Sequence, residues 1–189
     1  MSLFDNEDVK RFEEVTIDIK SIFQGKVITV DVETVKLPNG VSSTREIVRH
    51  PGAVCVLALV GERMLVVEQY RKAMGRNLVE IPAGKLERGE DPLEAAHREL
   101  QEETGFTTKE LKKISTFYSA PGFCDELLHL YVAEELEAGI ANPDEDEFLD
   151  CSAITLEEAK LLIADGRIAD AKTIMAVQAW ELSILKGGF

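Results

Sequence analysis

Alternating apolar and polar residues near the start of the chain predict antiparallel strands. Residues 15–19 and 28–32 carry Val or Ile at every second position, the period of a strand with one buried face. Pro38-Asn39-Gly40 is a strong turn signal before a third run at residues 44–49. These runs predict an N-terminal antiparallel β subdomain over residues 1–50.

The pattern changes after Gly52, where buried strands are predicted. Residues 53–60 are continuously apolar, as in a strand covered on both faces. Further strands are predicted at residues 63–70, 77–81 and 127–133. A second domain is therefore expected over residues 51–189.

Three helices are predicted from residues that cap or stop a helix. The signals are Asp91, Pro92 and Gly105 around the first helix, and Thr155, Glu158 and Gly166 around the second, with residues 171–185 as the third. Because strands and helices interleave, the fold class is α/β (α+β) with a mixed sheet.

Composition places the chain among soluble globular proteins. Of its 189 residues, 45% are hydrophobic and 30% are charged. No apolar run approaches the roughly 18 residues that span a bilayer, and the acidic start lacks the apolar core of a signal peptide. The three cysteines contain no CxxC pair, which argues against a disulfide framework or a zinc site. We therefore expect a cytoplasmic protein without a membrane partner.

The net charge of −14 is concentrated in two segments. Residues 87–103 hold seven acids and two bases, and residues 134–150 hold eight acids and no base. A nucleic acid partner is not expected, because a phosphate backbone requires a basic surface. Clustered carboxylates instead favour divalent cations.

The first predicted helix brings three carboxylates together. Glu99 lies three residues before Glu102 and four before Glu103, so these side chains occupy neighbouring positions and repel one another. A hard cation would remove that repulsion. The apolar stripe expected to pack on the sheet, with the glutamates at its edge, consists of Leu93, Ala96 and Leu100.

The segment from Gly84 to Phe106 resembles the Nudix box, G-x5-E-x7-R-E-U-x-E-E-x-G-U, in which U is a bulky apolar residue. The matching residues occupy all nine specified positions: Gly84, Glu90, Arg98, Glu99, Leu100, Glu102, Glu103, Gly105 and Phe106. The resemblance implies the Nudix fold, a mixed β-sheet sandwiched between helices. It also implies a hydrolase that cleaves a pyrophosphate bond in a nucleoside-diphosphate compound.

The same resemblance assigns roles within the box. The metal ligands would be Glu99, Glu103, Glu102 and the backbone carbonyl of Ala83. They would bind about two or three Mg²⁺ ions, with Mn²⁺ as the alternative, and these ions would neutralise the diphosphate and activate a water. The residues with a structural role would be Gly84, Glu90, Arg98 and Gly105, with Glu90 folding back onto Arg98.

The segments around the box resemble the ADP-ribose pyrophosphatase subgroup. Pro121 follows Gly105 by sixteen residues and precedes Gly122, Phe123 and an acidic pair. Residues 68–71 and 45–53 resemble the subgroup as well. The implied substrate-binding residues are Arg71, Arg45, Pro121 and Gly122, and the implied reaction converts ADP-ribose into AMP and ribose 5-phosphate.

The subgroup also implies a general base and a dimer. Its catalytic carboxylate lies on an acidic loop that resembles residues 142–148, which favours Glu145 and then Glu147, with Glu102 as a further catalytic candidate. Its N-terminal sheet pairs with a second subunit, so a homodimer is expected. The adenine would lie at that interface, where Phe12 and Phe23 are the nearest aromatic residues.

Two other functions are compatible with parts of this pattern. Another nucleoside-diphosphate sugar, such as ADP-glucose or GDP-mannose, would use the same fold and chemistry. A non-catalytic Nudix domain that senses a ligand is the second alternative. Against the sensor, every carboxylate of the box is present and no basic DNA-binding extension follows.

Overall fold

The computed structural model describes residues 10–142 and 147–189. Two compact units are distinguished within it. The first runs to Pro51 and includes Ala120–Glu126, and the second comprises Gly52–Ser119 and Leu127–Phe189.

The first unit is built on a three-stranded antiparallel sheet. A short 3-10 helix at Lys10–Phe12 precedes strands β1 (Val15–Gln24), β2 (Thr29–Lys36) and β3 (Ser42–Arg49), which pair in the order β1-β2-β3. The predicted turn lies between β2 and β3, where Gly40 has φ of 82°. The antiparallel character predicted for this part of the chain is confirmed.

The second unit contains the remaining elements. Its strands are β4 (Ala53–Val60), β5 (Arg63–Arg71), β6 (Arg76–Glu80), β7 (Ala83–Lys85), β8 (Phe106–Thr108), β9 (Lys112–Tyr118), β10 (Leu127–Ala133), β11 (Leu136–Ala138) and β12 (Leu149–Ile154). Its helices are α1 (Pro92–Thr104), α2 (Leu156–Ala164) and α3 (Ala171–Lys186).

These strands form one seven-stranded mixed sheet and a separate β8–β11 pair. The main path runs β12-β5-β4-β10-β9, with β6 added to β5 and β7 added to β4. Strands β4 and β10 are parallel, whereas the other pairs are antiparallel. The prediction of a mixed sheet is confirmed.

Strand β4 is continuously apolar because helices cover both of its faces. Cys55 and Leu57 belong to a buried cluster that includes Trp180 and other residues of α2 and α3. Val54 and Val56 belong to a second cluster that includes residues of α1. The sheet is therefore sandwiched between helices, as predicted.

The buried face of α1 differs from the predicted stripe at one position. Leu93 is exposed, whereas Ala95 and Ala96 are fully buried. The helix meets the sheet at these two small residues and at Leu100, and Leu93 lies before them in the first turn. Glu99 and Glu103 are themselves buried, so they belong to the packed face and do not merely border it.

Helix α2 ends at Ala164, two residues before the predicted stop at Gly166. Among the helices of the described residues, none has the length and apolar character needed to cross a membrane.

Candidate active site

Helix α1 provides a rigid platform for the acidic residues. Asp91 caps it by accepting a hydrogen bond from the backbone N–H of Leu93 at 2.8 Å. Pro92 occupies the first turn, where its missing N–H costs nothing. Gly105 ends the helix with φ of 75° and donates its N–H to the Gln101 carbonyl. Both ends of the helix are thus capped by the residues predicted from sequence.

Glu103 is the most buried carboxylate of the platform. It is only 2% exposed, and it accepts a hydrogen bond from the backbone N–H of Ala83 at 2.9 Å. Burial, together with the neighbouring Glu99 and Glu147, raises the pKa of Glu103 to about 8 despite the Ala83 bond. This carboxylate therefore lacks a partner that fully compensates its charge.

Glu99 lies directly against the backbone of Gly84. It is 7% exposed, and a Cβ placed on Gly84 would lie 1.9 Å from its carboxyl carbon. Burial raises the pKa of Glu99 as well, even though Arg98 bonds to it. The absence of a side chain at Gly84 is what leaves room for the Glu99 carboxylate.

Arg98 links the loop before α1 to the acids on the helix. Its Nε and Nη2 donate to Glu90 at 2.9 and 3.0 Å. Its Nη1 donates to Glu99 at 2.7 Å and to Glu102 at 2.9 Å. Glu90 also accepts the backbone N–H of Glu87 at 2.9 Å, so the loop folds back onto the helix.

The donor set of this site fits a divalent cation. Two buried carboxylates, Glu99 and Glu103, have raised pKa values, and the charge of Glu147 contributes to both. Carboxylate oxygens are ligands that Mg²⁺ and Mn²⁺ prefer. Within residues 10–142 and 147–189, however, no three acidic, histidine or cysteine side chains already form a ligand cluster. Glu99 and Glu102 are bonded to Arg98 instead.

Arg71 and Glu80 form a second charged group beside the platform. Arg71 Nε and Nη2 donate to the two oxygens of Glu80 at 2.6 and 2.7 Å, the paired geometry that suits guanidinium and carboxylate. The charge of Glu103 also contributes to raising the pKa of Arg71, after the larger effect of Glu80. The charges of Arg71 and Glu103 therefore interact.

Glu80 and its partner Lys172 were not predicted as site residues. Glu80 is 2% exposed, and Lys172 pairs with it from α3. A signal for Glu80 was present, because it is an acid between Val79 and Ile81 in an otherwise apolar run. No comparable signal marks Lys172, since its partner lies 92 positions earlier in the chain.

The predicted acidic loop is described only in part. Glu145 lies outside the described residues, whereas Glu147 lies within them. The charge of Glu147 raises the pKa of both Glu99 and Glu103, so Glu147 is near the platform. It also lines a cavity of about 540 Å³ together with Glu68, Tyr70, Asn77, Phe148, Leu149 and Asp150.

The other predicted substrate-binding residues belong to the first unit. Arg45 on β3 is bonded through its Nε to Glu14 at 2.8 Å. Pro121 and Gly122 lie in the segment 120–126, and a Cβ on Gly122 would have no heavy atom within 4 Å. Within that segment, Asp125 accepts the backbone N–H of His50 at 2.8 Å and a bond from Arg49 at 3.2 Å.

Comparison with known proteins shows one family over most of the chain. The model of the NUDIX domain family matches residues 48–177. The chain is 52% identical to the methanol dehydrogenase activator of Bacillus methanolicus over 92% of this chain and 95% of that protein. It is 51% identical to the ADP-ribose pyrophosphatase of Bacillus subtilis (strain 168) over 92% of this chain and 96% of that protein.

A solved structure supports the fold independently. The crystal structure of an ADP compounds hydrolase superposes with a TM-score of 0.81 at 23% sequence identity. The match covers 93% of this chain and 95% of that structure.

Proposed function

The chain belongs to the NUDIX domain family, and from this membership we propose that it is a metal-dependent hydrolase that converts ADP-ribose and water into AMP and ribose 5-phosphate. The observation that carries the proposal is the pair of buried glutamates, Glu99 and Glu103, which α1 holds beside Ala83 and Gly84. Similarity to an ADP-ribose pyrophosphatase over most of both chains supports the substrate.

Glu99, Glu103, Glu102 and the carbonyl of Ala83 are the proposed metal ligands. When bound, Mg²⁺ or Mn²⁺, in about two or three ions per site, supplies charge neutralisation and an activated water. Arg98 keeps two members of this set, Glu99 and Glu102, ordered through its Nη1 donor. Glu90 in turn holds Arg98.

A carboxylate of the acidic loop is the proposed general base. Glu147 is close enough to Glu99 and Glu103 to raise their pKa values, which supports a position near the attacking water. Glu145 is the other candidate on this loop, and Glu102 is a candidate on α1. The base would take the proton from the water as its oxygen attacks phosphorus.

Arg71 is the proposed contact for the diphosphate. Its Nε and Nη2 are used by Glu80, and a guanidinium has a further edge that can donate to a phosphate oxygen. Arg45, Pro121 and Gly122 are proposed to contact other parts of the substrate.

A homodimer in the cytoplasm is proposed for the assembled enzyme. Strand β1 is exposed along its whole length, although it carries apolar side chains. Val15, Ile17 and Ile19 are each more than half exposed, and so is Phe23. An exposed apolar strand favours a partner subunit, and Phe12 and Phe23 would be available there for the adenine.

A second candidate function is activation of methanol dehydrogenase. It is favoured by the 52% identity to the activator from Bacillus methanolicus. The two functions can be distinguished experimentally. Hydrolysis of ADP-ribose by the purified chain needs no other protein, whereas activation of methanol dehydrogenase needs that enzyme.

The proposed function is tested by product release from a panel of nucleotides. The panel comprises ADP-ribose, ADP-glucose, GDP-mannose, NADH and diadenosine polyphosphates, each with Mg²⁺ and with a chelator. Metal-dependent release of AMP, fastest from ADP-ribose, is the expected result. Faster turnover of another sugar nucleotide would change the substrate, and tight binding without turnover of any compound would favour a ligand sensor.

A further inference from the structure

The first turn of α3 is bonded to the end of β6. Lys172 Nζ pairs with Glu80 and donates to Asp170 Oδ1 at 2.9 Å. Thr173 Oγ1 accepts the backbone N–H of Ile81 at 3.0 Å. Asp170 also caps α3 by accepting the Thr173 N–H at 3.0 Å. The turn therefore holds the side chain of Glu80 and the backbone of the next residue at once.

Glu80 is the point at which two cations meet. Arg71 donates to both of its oxygens, and Lys172 Nζ also donates to Oε2. The side chain of Glu80 is 3% exposed and that of Lys172 is 12% exposed. A buried carboxylate needs such compensation, because an unpaired charge in the interior is strongly destabilising.

The contact with buried Glu80 determines which donor of the Arg71 guanidinium remains available to a ligand. Glu80 takes Nε and Nη2, so Nη1 is the donor that the described residues leave for another anion. The Arg71 side chain is 38% exposed. A free arginine loses rotamer entropy when it is fixed, and here Glu80 fixes it in advance.

We propose that Lys172 is a positioning residue for substrate binding, which acts through Glu80 to hold Arg71 with its Nη1 directed towards the diphosphate. This inference rests on the proposed function in one respect, namely that Arg71 contacts the substrate. Lys172 itself does not touch the substrate. Its removal would leave Glu80 and Asp170 as two neighbouring buried carboxylates with Arg71 as their remaining cation, and Arg71 would reorient towards them.

The test compares Lys172→Met with wild type in the magnesium-dependent hydrolysis of ADP-ribose. A misplacement of Arg71 should raise KM about tenfold or more, while kcat stays within about threefold because the metal ligands are untouched. Lys172→Arg, which keeps a buried cation, should restore KM to near the wild-type value. Lys160→Met is the matched control, because Lys160 pairs with Glu181 on the exposed side of α2 and α3 and should leave KM unchanged.

A double-mutant cycle separates positioning from a purely structural role. If Lys172 acts through Arg71, Lys172→Met should add no further increase in KM to Arg71→Ala. A wild-type KM for Lys172→Met, with only its melting temperature lowered, would overturn the proposal. Independent, additive effects of the two substitutions on KM would overturn it as well.

Binding measurements keep this proposal distinct from the proposed reaction. The Kd of ADP-ribose, measured by calorimetry with a chelator present, should rise about tenfold in Lys172→Met whether or not the wild type turns the compound over. Binding by the wild type with no turnover when Mg²⁺ is supplied in excess would refute the hydrolase and leave the role of Lys172 intact. If Lys172→Met does not fold, Lys172→Gln is measured in its place, and a wild-type Kd for that variant contradicts the proposal.

Discussion

The carboxylate of Glu99 occupies the space that a side chain at position 84 would fill. A Cβ on Gly84 would lie 1.9 Å from Glu99 Cδ and Oε1 and 2.2 Å from Oε2. The atoms in conflict are the end of a flexible side chain, so Gly84→Ala should move the carboxylate and spare the fold. We expect the variant to keep a cooperative unfolding transition and to lose at least about tenfold in kcat/KM for ADP-ribose with Mg²⁺.

Gly105→Ala is the comparison for that variant. Gly105 has φ of 75°, and a Cβ there would lie 2.6 Å from the backbone nitrogen of Ala141. Backbone cannot yield as a side chain does, so this change should lower the free energy of unfolding by more than 1 kcal/mol, as a rough minimum. An unstable but active Gly84→Ala would contradict the proposed role of Gly84.

Arg98→Lys should weaken the connection between the loop and α1. Lysine keeps the charge but loses the fork that bonds to Glu90, Glu99 and Glu102 together. We expect a loss of roughly 1–3 kcal/mol in the free energy of unfolding, measured by urea denaturation. The exposed Arg88→Lys is the control, and equal stability of the two variants would show that the fork contributes nothing.

The Arg71–Glu80–Lys172 group should stabilise the fold at neutral pH and lose this effect at strongly acidic pH. Burial opposes ionisation of Glu80, but Arg71 and Lys172 more than offset it and lower its pKa from 4.5 to about 2. Stability from this group is therefore complete above pH 4.5 and is lost as the pH falls from 4.5 towards 2. We expect the stability gap between wild type and Glu80→Gln to narrow by about 2 kcal/mol between pH 7 and pH 3. A gap that stays constant over this range, in urea denaturation, would show that Glu80 is not held ionised.

A charged residue on the apolar side of strand β1 should dissociate the proposed dimer. Ile19 is 57% exposed, and Ile19→Asp would place a carboxylate in the proposed interface. We expect light scattering to show a dimer for wild type and a monomer for this variant. Lys20→Asp, which introduces the same carboxylate at a polar position of the strand and changes the charge by two units instead of one, should remain dimeric. A monomeric wild type would rule out the proposed assembly.

Local signals account for much of what the sequence predicted correctly. The caps of α1 and the continuous apolar run of β4 depend on neighbouring residues, and both are present in the structure. Strands β9 and β12 were not predicted. They stand at the two ends of the main sheet path, where less of a strand is covered and the hydrophobic period is weak.

The charged group around Glu80 shows why part of the site could not be predicted. The pairing of Glu80 with Lys172 joins residues 92 positions apart, so it depends on how α3 docks and not on any local pattern. The burial of Glu99 and Glu103 has the same origin. Their spacing predicts neighbouring carboxylates, but only the packing of α1 on the sheet shows that both are removed from water.

The buried glutamates of α1 are proposed to bind the metal that drives hydrolysis of ADP-ribose. This metal-binding role is tested by the release of AMP from ADP-ribose by wild type and Glu103→Gln at saturating Mg²⁺, since glutamine keeps an acceptor for the Ala83 N–H but removes the charge. Glu94→Gln, an exposed change on the same helix, is the control and should behave as wild type. We predict that Glu103→Gln folds normally and loses at least about 100-fold in kcat. Near wild-type turnover by Glu103→Gln at saturating Mg²⁺ would show that Glu103 is not a required metal ligand.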